Sequence, residues 1–113
     1  MPTGRNSHLG PASWPVAIPE DVDSPALEKA RGLITLPQHI RWSEPYLTYD
    51  LNDPSDCARV YEQVIREGTD DDVRYYIIVD RMVELWDVMV LPPHVRSAWA
   101  RWLAKHRHIE LAC

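Results

Sequence analysis

The chain has 113 residues, a formal net charge of -5 and a pI near 5.4, so it is one domain at most and, taken whole, not a nucleic-acid-binding composition. No apolar run approaches the roughly 18 residues of a membrane span, and residues 1–14, MPTGRNSHLGPASW, lack the apolar stretch of a signal peptide. No membrane partner and a cytoplasmic location are therefore expected.

Seven of the ten prolines and three of the four glycines lie in residues 1–45. Residues 1–25 have no apolar period and read as an extended or disordered tail. Within SPALEKARG, Ser24 suits an N-cap, Pro25 the first helical position and Gly32 a helix end, so one short helix is possible there. LITLPQHIRW reads as extended. Leu33, Ile34, Thr35 and Ile40 favour a strand, which Pro37 limits to an edge or a short piece.

From Asp53 onward the pattern is helical. In NDPSDCARVYEQVIREG, Asp53 caps, Pro54 opens the helix, Asp56 sits near its positive end and Gly68 stops it. Val60, Tyr61, Val64 and Ile65 form the apolar stripe. Thr69 caps a second helix whose first turn is Asp70, Asp71 and Asp72, with Val73, Tyr76 and Ile77 on one face. Its β-branched end, YYIIV, is compatible with a strand instead. Asp80 is placed to cap a third helix, RMVELWDVMVL, with Met82, Leu85, Trp86 and Met89 on one face until Pro92 stops it. Pro93 opens a fourth, with Val95, Ala98, Trp99, Trp102 and Leu103 as its stripe. The predicted fold class is all-α: about four short helices in residues 53–108 after an extended or disordered Pro-rich N-terminal region. The predicted division is a tail over residues 1–45 and a small helical domain over residues 46–113.

With no phenylalanine, tryptophan and tyrosine must supply the bulky core. A helical piece this small is marginal on its own. Its tryptophans therefore admit two readings, core filling or a surface buried against a partner. Charge is also segregated. Nine acids and two bases, Arg59 and Arg66, lie between Glu44 and Asp72, whereas the fourth helix carries Arg96, Arg101, Lys105 and Arg107 with no acid before Glu110. The helix dipole explains part of that basic end. Docking on a charged partner is the functional alternative.

Catalytic and metal chemistry finds little support. Cys57 and Cys113 make neither a disulfide framework nor a zinc set and read as reduced thiols. His106 and His108, two apart on a helix, point to different sides and suit chelation poorly, with or without His94. Cys57 lies in the first two turns of a helix, where its pKa could fall, but no partner base is identifiable. Asp70, Asp71 and Asp72 diverge by about 100° each and cannot converge on one ion. There is no phosphate loop, no G-x-S-x-G and no H-E-x-x-H. No enzyme, no cofactor and no metal site are expected. For DNA binding, the first three helices are too acidic for a major groove. LITLPQHI resembles the strand that opens ribbon-helix-helix repressors, but RWSEPYLTYDL does not continue as a helix. Helix four, with Arg96, Arg101, Lys105 and Arg107, is the phosphate-contacting candidate.

Three words, LPQHIRWSEPYLTYDLNDPSD, ARVYEQVIREGTDDDVRYYI and VMVLPPHVRSAWARWL, resemble small actinobacterial proteins encoded beside nucleotidyltransferase toxins of the abortive-infection and mycobacterial types. The resemblance covers about residues 36–108 and contains no catalytic signature. It implies an antitoxin that acts by protein–protein contact on a toxin that transfers nucleotides to RNA. Such a toxin needs a positively charged groove, which a net-acidic helical protein would cover. On this reading Trp86, Trp99 and Trp102 are the docking anchors, and Asp70, Asp71 and Asp72 supply charge complementarity. The partner is the cognate toxin, with operator DNA as a second candidate. The alternative function is a small DNA-binding transcriptional regulator.

Overall fold

A computed structural model describes residues 16, 18–40 and 47–111. The chain divides into two compact units, Ala17–Val90 and Met1–Val16 with Leu91–Cys113.

The first unit runs β1 (Leu33–Thr35), β2 (Thr48–Asp50), α1 (Pro54–Glu67), α2 (Asp70–Tyr76) and α3 (Val79–Glu84). The strands pair antiparallel, with Leu33 opposite Asp50, Ile34 opposite Tyr49 and Thr35 opposite Thr48. The protein is thus mostly helical with a two-stranded antiparallel sheet, and the all-α expectation is corrected on this point. β1 lies where the β-branched Ile34 and Thr35 favour it. β2 has only three residues, and its partner is fifteen or so positions upstream, so local pattern says little about it. Gly32 adopts φ +72, a left-handed value that glycine takes without strain. Its carbonyl accepts the Leu51 N–H at 2.8 Å, which extends the pairing by one bond.

Residues 24–32 form a turn and irregular chain, not the short helix that their sequence allows. The Ser24 Oγ accepts from Ala26 N–H, but the chain is then drawn elsewhere. Lys29 Nζ donates to the carbonyls of Val22, Arg74 and Ile77 at 2.6–2.7 Å, and Ala30 N–H donates to Tyr75 O at 2.9 Å. These long-range bonds satisfy carbonyls at the end of α2 that have no helical partner. Burial pushes the Lys29 ammonium down from its ordinary pKa. Val22, Leu36 and Ile40 are buried as well, so this part of the stretch read as tail is packed. Residues 1–15, 17 and 41–45 of that stretch lie outside the described residues.

α1 follows its sequence signals. The Asp53 carboxylate accepts from Asp56 N–H at 2.9 Å, Pro54 opens the helix and Gly68 ends it. Its stripe is buried: Cys57, Val60, Tyr61, Val64 and Ile65 face inward. α2 opens on a complete capping box between Thr69 and Asp72. After Tyr76, Ile77 and Ile78 turn to extended backbone, with ψ 114 at each, so YYIIV is half helix and half connector. α3 begins after Ile78 with no side-chain cap, and Asp80 sits in its first turn instead of capping it. The helix expected over residues 81–91 stops at Glu84 and continues as turns through residue 88.

In the second unit, α4 (Pro93–Arg107) starts at Pro92 and Pro93 and ends at His108, which takes the left-handed conformation with φ 56. Val95, Trp99, Ala100, Trp102 and Leu103 are its buried residues, while Ala98 is only half-buried.

Candidate functional site

The three tryptophans expected as docking anchors are buried, Trp86 at 2%, Trp99 at 0% and Trp102 at 7% exposure. A ring with no accessible surface offers nothing for a partner to grip, so these residues act as core. Trp86 sits in the turn after α3, where Trp86 N–H bonds Val83 O at 3.2 Å. Trp99 and Trp102 meet edge-on at 5.9 Å, and His106 stacks on Trp102 at 4.6 Å and 18°. Both α4 indole nitrogens are buried without a hydrogen-bond partner, so packing rather than polar contact holds them.

The three aspartates at the start of α2 separate into two roles. Asp70 and Asp71 are exposed, and Asp71 pairs with Arg74 at 2.9 Å. Asp72 turns inward. Its Oδ2 accepts from Thr69 N–H at 2.8 Å and from the Thr69 hydroxyl at 3.1 Å, and lies 2.6 Å from His39 Nε2. Burial works to raise the Asp72 pKa, but the contacts with His39 and Thr69 outweigh it and hold the carboxyl below its ordinary value. Asp72 is therefore a cap and a tether for residue 39, and only Asp70 and Asp71 remain to meet a partner.

An exposed apolar feature lies elsewhere in the first unit. Val88 and Val90 are 62% and 74% exposed while Met89 between them is buried. The alternation is that of extended chain, not of helix. In a continuing helix Val90 N–H would bond Trp86 O; instead it donates to Glu62 Oε2 at 2.8 Å. That bond holds the two valines beside the outer face of α1, over a groove of about 380 Å³ that includes Pro54, Ala58 and Glu62. Sequence reasoning placed Val88 and Val90 inside a helix and missed this. The available signal was the pattern V-M-V, β-branched residues two apart around an apolar one, at the end of a weakly capped helix.

A second cleft, of about 410 Å³, is lined by Gly32, Asn52, Cys57, Tyr61, Arg81 and Glu84 among others. Three of its side chains are already engaged with one another or with backbone. Tyr61 Oη accepts from Ile78 N–H at 3.1 Å, with its pKa pushed up chiefly by burial. Arg81 donates to Glu84 at 3.0 Å and also contacts the Cys57 thiol. Cys57 is a free thiol with 1% exposure, and among the described residues that line the cleft there is no histidine to serve as its base. Among the described residues, no group of three His, Cys, Asp or Glu is placed to hold a metal ion, and no helix is long and apolar enough to cross a membrane.

No known family model, curated protein or solved structure matches this chain.

Proposed function

We propose that this chain is an antitoxin that binds and neutralises a nucleotidyltransferase toxin by protein–protein contact, with no catalysis of its own. The observation that supports contact is the pair Val88 and Val90, both exposed over the groove on α1. Single exposed hydrophobics are ordinary. Two exposed β-branched side chains lining one concave surface give a partner a small apolar contact. The Glu62 bond to Val90 N–H presets the geometry, which lowers the ordering cost of binding.

The class of partner comes from the resemblance of the three words quoted above. A toxin that handles RNA needs a positively charged groove, and exposed Asp70 and Asp71 supply the opposite charge. Such charges govern encounter rate and partner choice more than affinity. The valines are then the anchors and the aspartates the steering groups.

The test is co-expression of the tagged chain with the product of its neighbouring gene, followed by size-exclusion chromatography. Co-elution with loss of the neighbour's toxicity is the expected result. A Val88→Glu, Val90→Glu double variant should fold as the parent does and lose the partner. Separate elution of the parent chain as a folded monomer overturns the proposal.

A further inference from the structure

α4 presents a surface that the proposed docking groove does not use. Residues 88–109 hold four of the chain's Lys and Arg residues and none of its 17 acids, in a chain whose net charge is -5. His94, Ser97, Arg101 and Lys105 follow one another at steps of three, four and four, which puts them on one helix face. His108, at the C-cap, continues the same line. Arg101, Lys105 and His108 are exposed, while Val95, Trp99 and Leu103 are buried. Arg96 and Arg107 have interactions of their own. Arg101 and Lys105 have no ion-pair partner among the described residues. The helix dipole accounts for a cation in the last turn, such as Lys105, but not for Arg101 in the middle of the helix.

We infer that this face of α4 binds the phosphate backbone of a nucleic-acid strand. Arg101 and Lys105 are separated by about 6 Å along the axis, over which one strand of a duplex presents about two phosphates at about 3.4 Å each. The whole line from His94 to His108 covers about 21 Å. Ser97 and Ala104 flank the cations and leave room for close approach of a sugar-phosphate chain. An acidic protein is the rival partner, but protein interfaces are centred on apolar and aromatic anchors. None of the large hydrophobics exposed in this protein lies on α4. A face of cations and small polar groups fits phosphate contact, which needs little else.

The inference is independent of the antitoxin proposal, which concerns residues 88 and 90 and is read by co-elution. It is tested by fluorescence anisotropy of the full chain with labelled single-stranded RNA, single-stranded DNA and duplex DNA. With two phosphates neutralised, affinity should fall roughly tenfold between about 50 and 200 mM salt. An Arg101→Glu, Lys105→Glu variant should weaken binding about tenfold or more and flatten the salt slope, with its melting temperature unchanged. Binding to RNA alone or to DNA alone supports the inference and assigns the source of the phosphate. Absence of binding to all three at about 50 mM salt, equal affinity of parent and variant, or equally strong binding of poly-glutamate overturns it.

Discussion

α1 and the stretch from α3 to residue 90 belong to the same unit and carry similar apolar stripes, yet they end differently. α1 is 14 residues of unbroken helix. The later stretch is six residues of helix followed by turns and extended chain. α1 has a side-chain cap at its start, a proline in its first turn and a glycine at its end, so its local signals agree. α3 has no side-chain cap, and its continuation is captured by the Glu62 carboxylate, 28 residues upstream. A weakly capped helix gives way where a charged acceptor competes for its N–H groups. The residues so released, Val88 and Val90, form the candidate docking surface.

The sharpest way to break this picture is in the aromatic core. Trp86→Ala, in the turns, and Trp99→Ala, in α4, should each cost about 3–5 kcal/mol. In a protein of this size that largely unfolds the chain, as urea denaturation would read. A variant that keeps its midpoint and loses only its partner would return that tryptophan to the role of docking anchor.

The junction of α1 and α2 comes next. A Cβ on Gly68 would lie 2.7 Å from Val64 O and 2.9 Å from Asp72 Cβ, although its φ of -83 suits any residue. Gly68 is thus required by close approach and not by backbone conformation. Gly68→Ala should cost about 1–3 kcal/mol, and an unchanged melting curve would show that α2 shifts at no cost.

Glu62→Ala should cost about 1 kcal/mol through loss of its bond to Val90 N–H. Its larger effect should be on the proposed partner contact. Amide exchange at Val90 should quicken in the variant, and unaltered exchange would remove Glu62 as the clasp.

Acidification acts more weakly. The Asp72 pKa is depressed in the folded chain, so its contribution is present above the unfolded value of about 3.9. That contribution is lost as pH falls through the lower folded value. Asp72→Asn should therefore flatten the acid limb of a stability-against-pH curve below about pH 4. An identical acid limb in the two proteins would assign acid sensitivity to other carboxylates.

The sequence by itself determined α1 and the starts of α2 and α4. Each is set by residues within a turn of one another: Asp53 and Asp56, Thr69 and Asp72, Pro92 and Pro93. It also marked which side chains are apolar and which helix is basic. Only the tertiary structure decided that residues 24–32 are not helical, because Lys29 finds its carbonyls near residues 74 and 77. Only the tertiary structure paired β2 with β1, sent Trp86, Trp99 and Trp102 inward, and brought His39 onto Asp72. A stripe pattern says that a face is apolar, not what covers it. A short pairing or a captured N–H depends on groups dozens of residues away, to which local periodicity is blind.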